Sequence, residues 1–402
     1  MKRIVFLSLL LILSAPFSLI LSQKAYKPIR TLLKEKKGKE ALAKVKELEI
    51  DSAYKDDPKL YDLGKLANML IYEKENEKLY LTKQCDTISF FQSIYGIYDY
   101  ILKCESKEKM LLEKEHKKPK YRKSNQSIIH TFYKNIGAGG RYFFKKKNFE
   151  ETINFLDFYL EITNSEIWGK RDDLISNKAV VHSAYMYQKS AYLSGNYDKV
   201  IRYNSLTLND SSFRKQVIDL LAKTSECTHD TIQMLKYLKQ GITEYPDDPS
   251  FFNKIYDYYI AVQQNDLAYT LADSLSTIYP DSTLYNAAKV LPLVRMGRYH
   301  DAIEVGEQVL KVDTLNADLH YYVGLSYCVM ADSIKLPTSI NSKSYRTKSK
   351  EKKDYYLKAL PHLEQYRNKY PDDVDKWGQM LHGVYWGLNM GKQYDDILKI
   401  LK

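Results

Sequence analysis

The chain has 402 residues, a net charge of +11, 36 tyrosines and four cysteines, and 44% of it is hydrophobic. That content supplies a core and excludes a disordered chain, and the length permits two or three domains or one array that grows by stacking. The charge is local, since residues 105–123 hold eight Lys/Arg against four Glu and residues 333–353 hold seven against one, which leaves the body near neutral.

Met1-Lys2-Arg3, the apolar run Ile4 to Leu21 and Ser22-Gln23-Lys24 have the layout of a secretory signal peptide, with cleavage expected after Ser22. An uncleaved anchor is the alternative. No cysteine lies near the end of the run, so a lipoprotein anchor is not expected. The protein is therefore read as exported, to the periplasm or cell envelope.

Residues 23–104 predict divergent helical hairpins. Tyr26 to Leu48 forms the first, with Pro28 suited to a helix start. Asp57-Pro58 opens the next helix, and Asp86-Thr87 caps another whose Phe90, Phe91, Ile94, Ile97, Tyr98 and Ile101 make one apolar stripe. Cys85 and Cys104 bracket that helix and so stand about 28 Å apart, too far to pair. Cys227 and Cys328 read as buried thiols. Residues 105–126 read as a basic linker broken by Pro119, and 127–180 as one divergent hairpin followed by extra residues around Trp168 to Asn177.

Residues 181–402 repeat. Tyr245-Pro246-Asp247-Asp248 returns as Tyr279-Pro280-Asp281-Ser282, with Pro246 and Pro280 separated by 34 residues. Counting position 1 three residues after the proline, Phe252, Tyr259, Ala268 and Leu275 fall at 4, 11, 20 and 27. The next unit has Gly297, Tyr299 and Ala302 at 15, 17 and 20. Glycine stands where the first helix must stop, and alanine where two helices cross closely. A unit from Ala317 has Gly324 and Tyr327 at 8 and 11, breaks after Ala331, and resumes at Tyr356 and Ala359. Residues 333–353 are thus an inserted basic loop with no apolar period, expected to be mobile. Trp377 falls at position 4 of the last unit, whose second helix runs from Tyr394 to Leu401.

A fixed period of 34 signals helix-turn-helix units. On Trp377, Gly324, Tyr259 with Tyr327, Ala268 with Ala302 and Ala359, and Pro246 with Pro280 and Pro371, the chain resembles the tetratricopeptide repeat (TPR) superfamily. As a whole it also resembles exported bacterial TPR proteins of unassigned function. The resemblance implies an all-α, right-handed solenoid of about seven stacked antiparallel helix pairs. It further implies a hollow lined by positions 2, 5, 9 and 12 of the first helices. These are Tyr185, Lys189 and Tyr192, with His182 beside them, then Asn253 and Asp257, Tyr321, and His382 with Tyr385. The lysine and asparagine with which chaperone-binding relatives grip a terminal carboxylate are missing from positions 5 and 9. A mixed aromatic and polar groove for an extended peptide or a partner's helix remains.

Chemistry is weakly signalled. Gly137-Ala138-Gly139-Gly140 follows no strand and precedes no Lys-Ser/Thr, so close helix packing explains it better than phosphate binding. The eight histidines include no pair four apart, and no serine sits in a GxSxG elbow. No cofactor, no catalytic residue and no nucleic-acid partner are expected, and the unidentified partner is a protein or peptide. The basic loop 333–353 offers a contact to an anionic envelope surface. Asp-Ser/Thr followed by an apolar residue or Thr places hydroxyls at Ser52, Thr87, Thr231, Ser274, Ser282, Thr314 and Ser333. This resembles an O-glycosylation sequon of one group of Gram-negative bacteria, and helix capping by the same residues is the alternative. The reading is a non-catalytic, peptide-binding scaffold. Its alternatives are a glycan-binding or outer-membrane assembly factor, and an enzyme whose site forms only in three dimensions.

Overall fold

A computed structural model describes residues 24–81 and 84–401, and the expected signal segment 1–22 lies outside them. The described residues are helical throughout, with no strand, and no helix among them is long and apolar enough to cross a membrane. The chain divides into two compact units, one ending at Tyr237 and the other beginning at Leu238.

The first unit opens with α1 (24–34) and α2 (Gly38–Glu49), followed by α3 (Pro58–Tyr80) and α4 (Thr87–Glu115). Asp57 caps α3 by accepting from the Lys59 amide, with Pro58 filling a first-turn position that needs no donor. Asp86 caps α4 through the Ser89 amide. Next come α5 (Arg122–Lys145), α6 (Phe149–Glu161), α7 (Asn177–Leu193), the short α8 (Tyr197–Val200) and α9 (Asn204–Thr207), α10 (Arg214–Cys227) and α11 (Thr231–Glu244), within which the boundary between the units falls. From α2 to α8 each helix packs on the next, and α5 also packs on α7 and α7 on α10. The apolar stripe of α4 is covered by Ile129, Phe132, Tyr133 and Ile136 of α5 and by Phe155 and Leu156 of α6. Tyr98 satisfies its buried hydroxyl by donating to the Ile129 carbonyl at 2.7 Å.

The lysine-rich segment 105–126 is not a linker over most of its length. Helix α4 continues to Glu115, and only 116–121 connect it to α5. Lysine, glutamate and leucine propagate a helix well, and Cys104 and Glu108 turn inward from it. Glu108 then fixes the connection by accepting from the Tyr121 amide at 2.9 Å. His116 makes the turn at φ 55 before Pro119. The extra residues after α6 form two 3-10 turns, Ile162–Asn164 and Asp172–Leu174, that deliver Trp168 into the core.

The second unit holds α12 (Pro249–Ala261), α13 (Asn265–Ile278), α14 (Thr283–Ala288), α15 (Val290–Arg295), α16 (Tyr299–Leu310), α17 (Ala317–Ser333), α18 (Lys343–Lys369), α19 (Val374–Gly387) and α20 (Gly391–Leu401). Ala268, Ala302 and Ala359 are fully buried at the crossings where the repeat pattern puts them. Gly297 leaves α15 with φ +74, a backbone that side chains rarely adopt. The first helix of the repeat at Thr283 is split into α14 and α15. Pro292 has no amide to donate to the Ala288 carbonyl, and the Tyr256 hydroxyl takes that carbonyl instead at 2.9 Å. Here α15 packs on α17 and α17 on α19.

Segment 333–353 also departs from expectation. Residues 334–342 connect, but Ser342 caps α18 through the Tyr345 amide, and 343–353 are the first turns of that helix. They contain neither glycine nor proline, and they run into the Tyr356 and Ala359 face that buries α18. Lys352 ties the segment to Asp332 at 3.2 Å. Counted as α1/α2, α3/α4, α5/α6, α7 with α8 and α9, α10/α11, α12/α13, α14 and α15 with α16, α17/α18 and α19/α20, the described residues form nine pairs.

Candidate functional site

In the first unit, His182, Tyr185, Lys189 and Tyr192 line one face of α7 at spacings of three and four. Tyr185 stacks on Phe213 with centroids 4.8 Å apart, and His182 stacks on the same ring at 5.6 Å. Burial raises the Tyr185 hydroxyl above its usual range, with Asp219 adding to the effect and Lys223 opposing it. Lys189 is exposed. Tyr192 leans on Tyr197 at 6.0 Å, and the exposed thiol of Cys227 sits beside both hydroxyls. Cys227 is thus not the buried thiol expected, because it is the last residue of α10. The result is a strip of half-open rings beside the exposed Lys189, able to stack on side chains and to hydrogen-bond a peptide.

The second unit treats its expected residues unequally. Asn253 and Asp257 are exposed on α12, and Asp257 lines a cleft of about 560 Å³ with Ile260, Asn265 and Arg295. Arg295 is oriented there by donating to the Ile260 carbonyl at 2.9 Å. Tyr321 is half-buried, 5.0 Å from the Tyr366 ring and covered by the Lys376 ammonium at 5.7 Å. Tyr385 is a core residue, 2% exposed, whose hydroxyl donates to Glu364 at 3.1 Å. It points between α18 and α19 instead of outward, which corrects its assignment to the groove. His382 lies 4.7 Å from Tyr394, and Trp386, 69% exposed, lies 5.4 Å from the same ring. The period gives no reason to single out Trp386, which falls on no groove position.

Two further features escape sequence reading. A cleft of about 740 Å³ in the first unit is lined by residues of α2, α3, α4 and α6, among them Lys46, Asn68, Tyr95, Lys103 and Glu151. Four helices contribute to it, so no local motif announces it. In the second unit, His320 of α17 and His362 of α18 bring their Nδ1 atoms within 2.8 Å. His320 Nε2 lies 3.1 Å from the Thr314 carbonyl, and His362 Nε2 lies 3.1 Å from Glu307 Oε1 on α16. Tyr327 donates to that same Glu307 oxygen at 3.1 Å and stacks on His362. Burial pushes the His362 pKa down, His320 adds to the shift, and Glu307 opposes it. The two histidines are far apart in sequence, and only the α17/α18 pairing joins them. Among the described residues no group of three or more His, Cys, Asp or Glu could hold a metal ion.

The seven candidate hydroxyls fall into two sets. Asp86 and Asp230 accept the Ser89 and Gln233 amides and Ser282 caps α14 through the Tyr285 amide, so helix capping accounts for three of the motifs, while Asp51 accepts the Ala53 amide in a turn and accounts for a fourth. Ser274 lies exposed within α13, where its aspartate caps nothing, and Thr314 and Ser333 are exposed at or near helix ends. Gly137, Gly139 and Gly140 lie inside α5, facing Tyr159, Phe155 and Leu156 of α6.

No family model and no curated protein matches this chain. Solved structures similar to it include MamA of AMB-1, at 17% identity, TM-score 0.32, covering 48% of this chain and 92% of that one. The TPR domain of P58(IPK) has 12% identity and TM-score 0.28, covering 94% and 99%. Yeast Tom70 has 9% identity and TM-score 0.27, covering 96% and 90%.

Proposed function

We propose that the protein is a non-catalytic scaffold that holds an extended peptide or a helix of another protein in the cell envelope. The face of α7 and α10 carries this reading, because the Tyr185, Phe213 and His182 stack, Lys189 and Tyr192 stay accessible on a rigid frame. Rings with few rotatable bonds bind at low entropic cost, and a cation among them gives direction. The exposed side chains of α12 and the aromatic group at Trp386 offer the second unit a comparable, independent surface. The envelope enters the reading through the basic head and apolar run of residues 1–22.

Partner capture from native envelope fractions tests it. The double variant Tyr185→Ala, Tyr192→Ala is expected to retain less than about a tenth of the partner, a loss of the size that one or two anchor residues carry. Its melting point should stay within a few degrees of the native value. Equal capture by both proteins would reject this face.

A further inference from the structure

We propose that His320 and His362 form a binding site for a late first-row divalent metal ion of the Cu²⁺ or Ni²⁺ class. A carboxylate and a carbonyl only accept hydrogen bonds, so Glu307 at 3.1 Å from His362 and the Thr314 carbonyl at 3.1 Å from His320 each call for a proton on Nε2. In neutral rings both Nδ1 atoms then carry lone pairs, and the two atoms stand 2.8 Å apart. Two lone pairs that close repel unless a cation is shared between them.

The surroundings are those of a metal-binding pair. Metal-ligating histidines donate their other nitrogen to a carboxylate or a backbone carbonyl, which fixes tautomer and ring angle. Both arrangements occur here, and Glu307 is itself held by the Tyr327 hydroxyl. Two ligands at right angles with metal–nitrogen bonds of about 2.0 Å stand about 2.8 Å apart, the spacing of neighbouring corners in a square-planar or tetragonal site. No third His, Cys, Asp or Glu joins the pair among the described residues. Its remaining positions would be filled by water or by a ligand from outside. An ion held there would join α17 directly to α18, and α16 through Glu307.

Titration of the full-length protein with Cu²⁺ at about neutral pH, followed by electron paramagnetic resonance and calorimetry, tests the site. The native chain should show a component with hyperfine structure from two nitrogens. His320→Gln and His362→Gln should each lose it, with affinity falling at least tenfold, and Glu307→Gln should weaken binding about tenfold, as loss of an orienting carboxylate does. Identical Cu²⁺ binding in the glutamine variants would overturn the proposal by placing the ion elsewhere. Failure of the native chain to bind Cu²⁺, the ion that heads the first-row affinity order for such ligands, would overturn it as well, and would mean that a proton bridges the rings. Should a glutamine variant misfold, Cu²⁺ broadening of ring resonances in the native protein decides. His320 and His362 signals should broaden before the other histidines, and broadening that spares them refutes the site.

Discussion

Replacing Trp168 by alanine is expected to cost the first unit about 4 kcal/mol, within the range for deleting a fully buried aromatic ring. Trp168 is 1% exposed and meets Tyr133 at 4.8 Å and His130 at 4.9 Å. Among the described residues its indole nitrogen has no hydrogen-bond partner, so truncation leaves the ring's own polar atom nothing to lose. The cost is therefore packing and the cavity left behind. A second loss follows, because His130 and Gln126 bond the Trp168 carbonyl at 2.7 and 3.3 Å, and a segment no longer pinned by its ring can slip from both. Native-state hydrogen exchange separates the two units, where a single melting curve would merge them. Protection of α5 and α6 should fall by the full amount while α17 and α18 keep theirs. A loss under about 1 kcal/mol, the size of an ordinary surface change, would show that the turns after α6 do not anchor the core.

Leucine in place of Gly140 is expected to destabilise the same unit by about 3 kcal/mol, at the upper end of overpacking costs. A Cβ there would stand 2.3 Å from Leu156 Cδ2, and 3.5 Å from Phe155 Cβ. Helices α5 and α6 would have to separate. Gly383→Ala is the matched control. It also lies inside a helix, but a Cβ there meets nothing within 4 Å, so helix propensity should make the change stabilising by up to about 1 kcal/mol. Hydrogen exchange of α6 amides reads the first change and that of α19 the second. Tolerance of leucine at 140 would return the run of glycines to consideration as a ligand loop.

The residues that could be read in advance are those whose packing is set by neighbours in sequence. Ala268, Ala302 and Ala359 were visible because paired helices cross at a fixed place, and Trp377 because it shares with Phe252 a repeat position that buries a large ring. Asp57, Asp86 and Gly297 were visible because caps and turns are local chemistry. Side-chain direction on an outward-facing helix was harder to read. Tyr185 and Tyr385 both fall on groove positions, 5 and 12, yet Phe213 leaves the first half-open and Glu364 draws the second inward. The cleft around Asn68 and the His320 and His362 contact depend on which helices pair and at what depth, and no spacing rule carries that information. Lysine-rich stretches misled for a related reason. Residues 105–115 and 343–353 look like solvated loops, but lysine is a good helix former, and the buried residues that each stretch carries or runs into, Cys104 and Glu108 or Tyr356 and Ala359, hold it in register.

Site-specific photocrosslinking in native cells tests most directly whether the first-helix face is the one that binds. A photoreactive phenylalanine derivative at Tyr192 on α7 would be compared with the same group at Leu206 on α9, the second-helix side of the same pair and 37% exposed. A discrete partner adduct from position 192, with none from 206, is the expected result. An adduct from 206 and none from 192 would place recognition on the second helices and contradict the account.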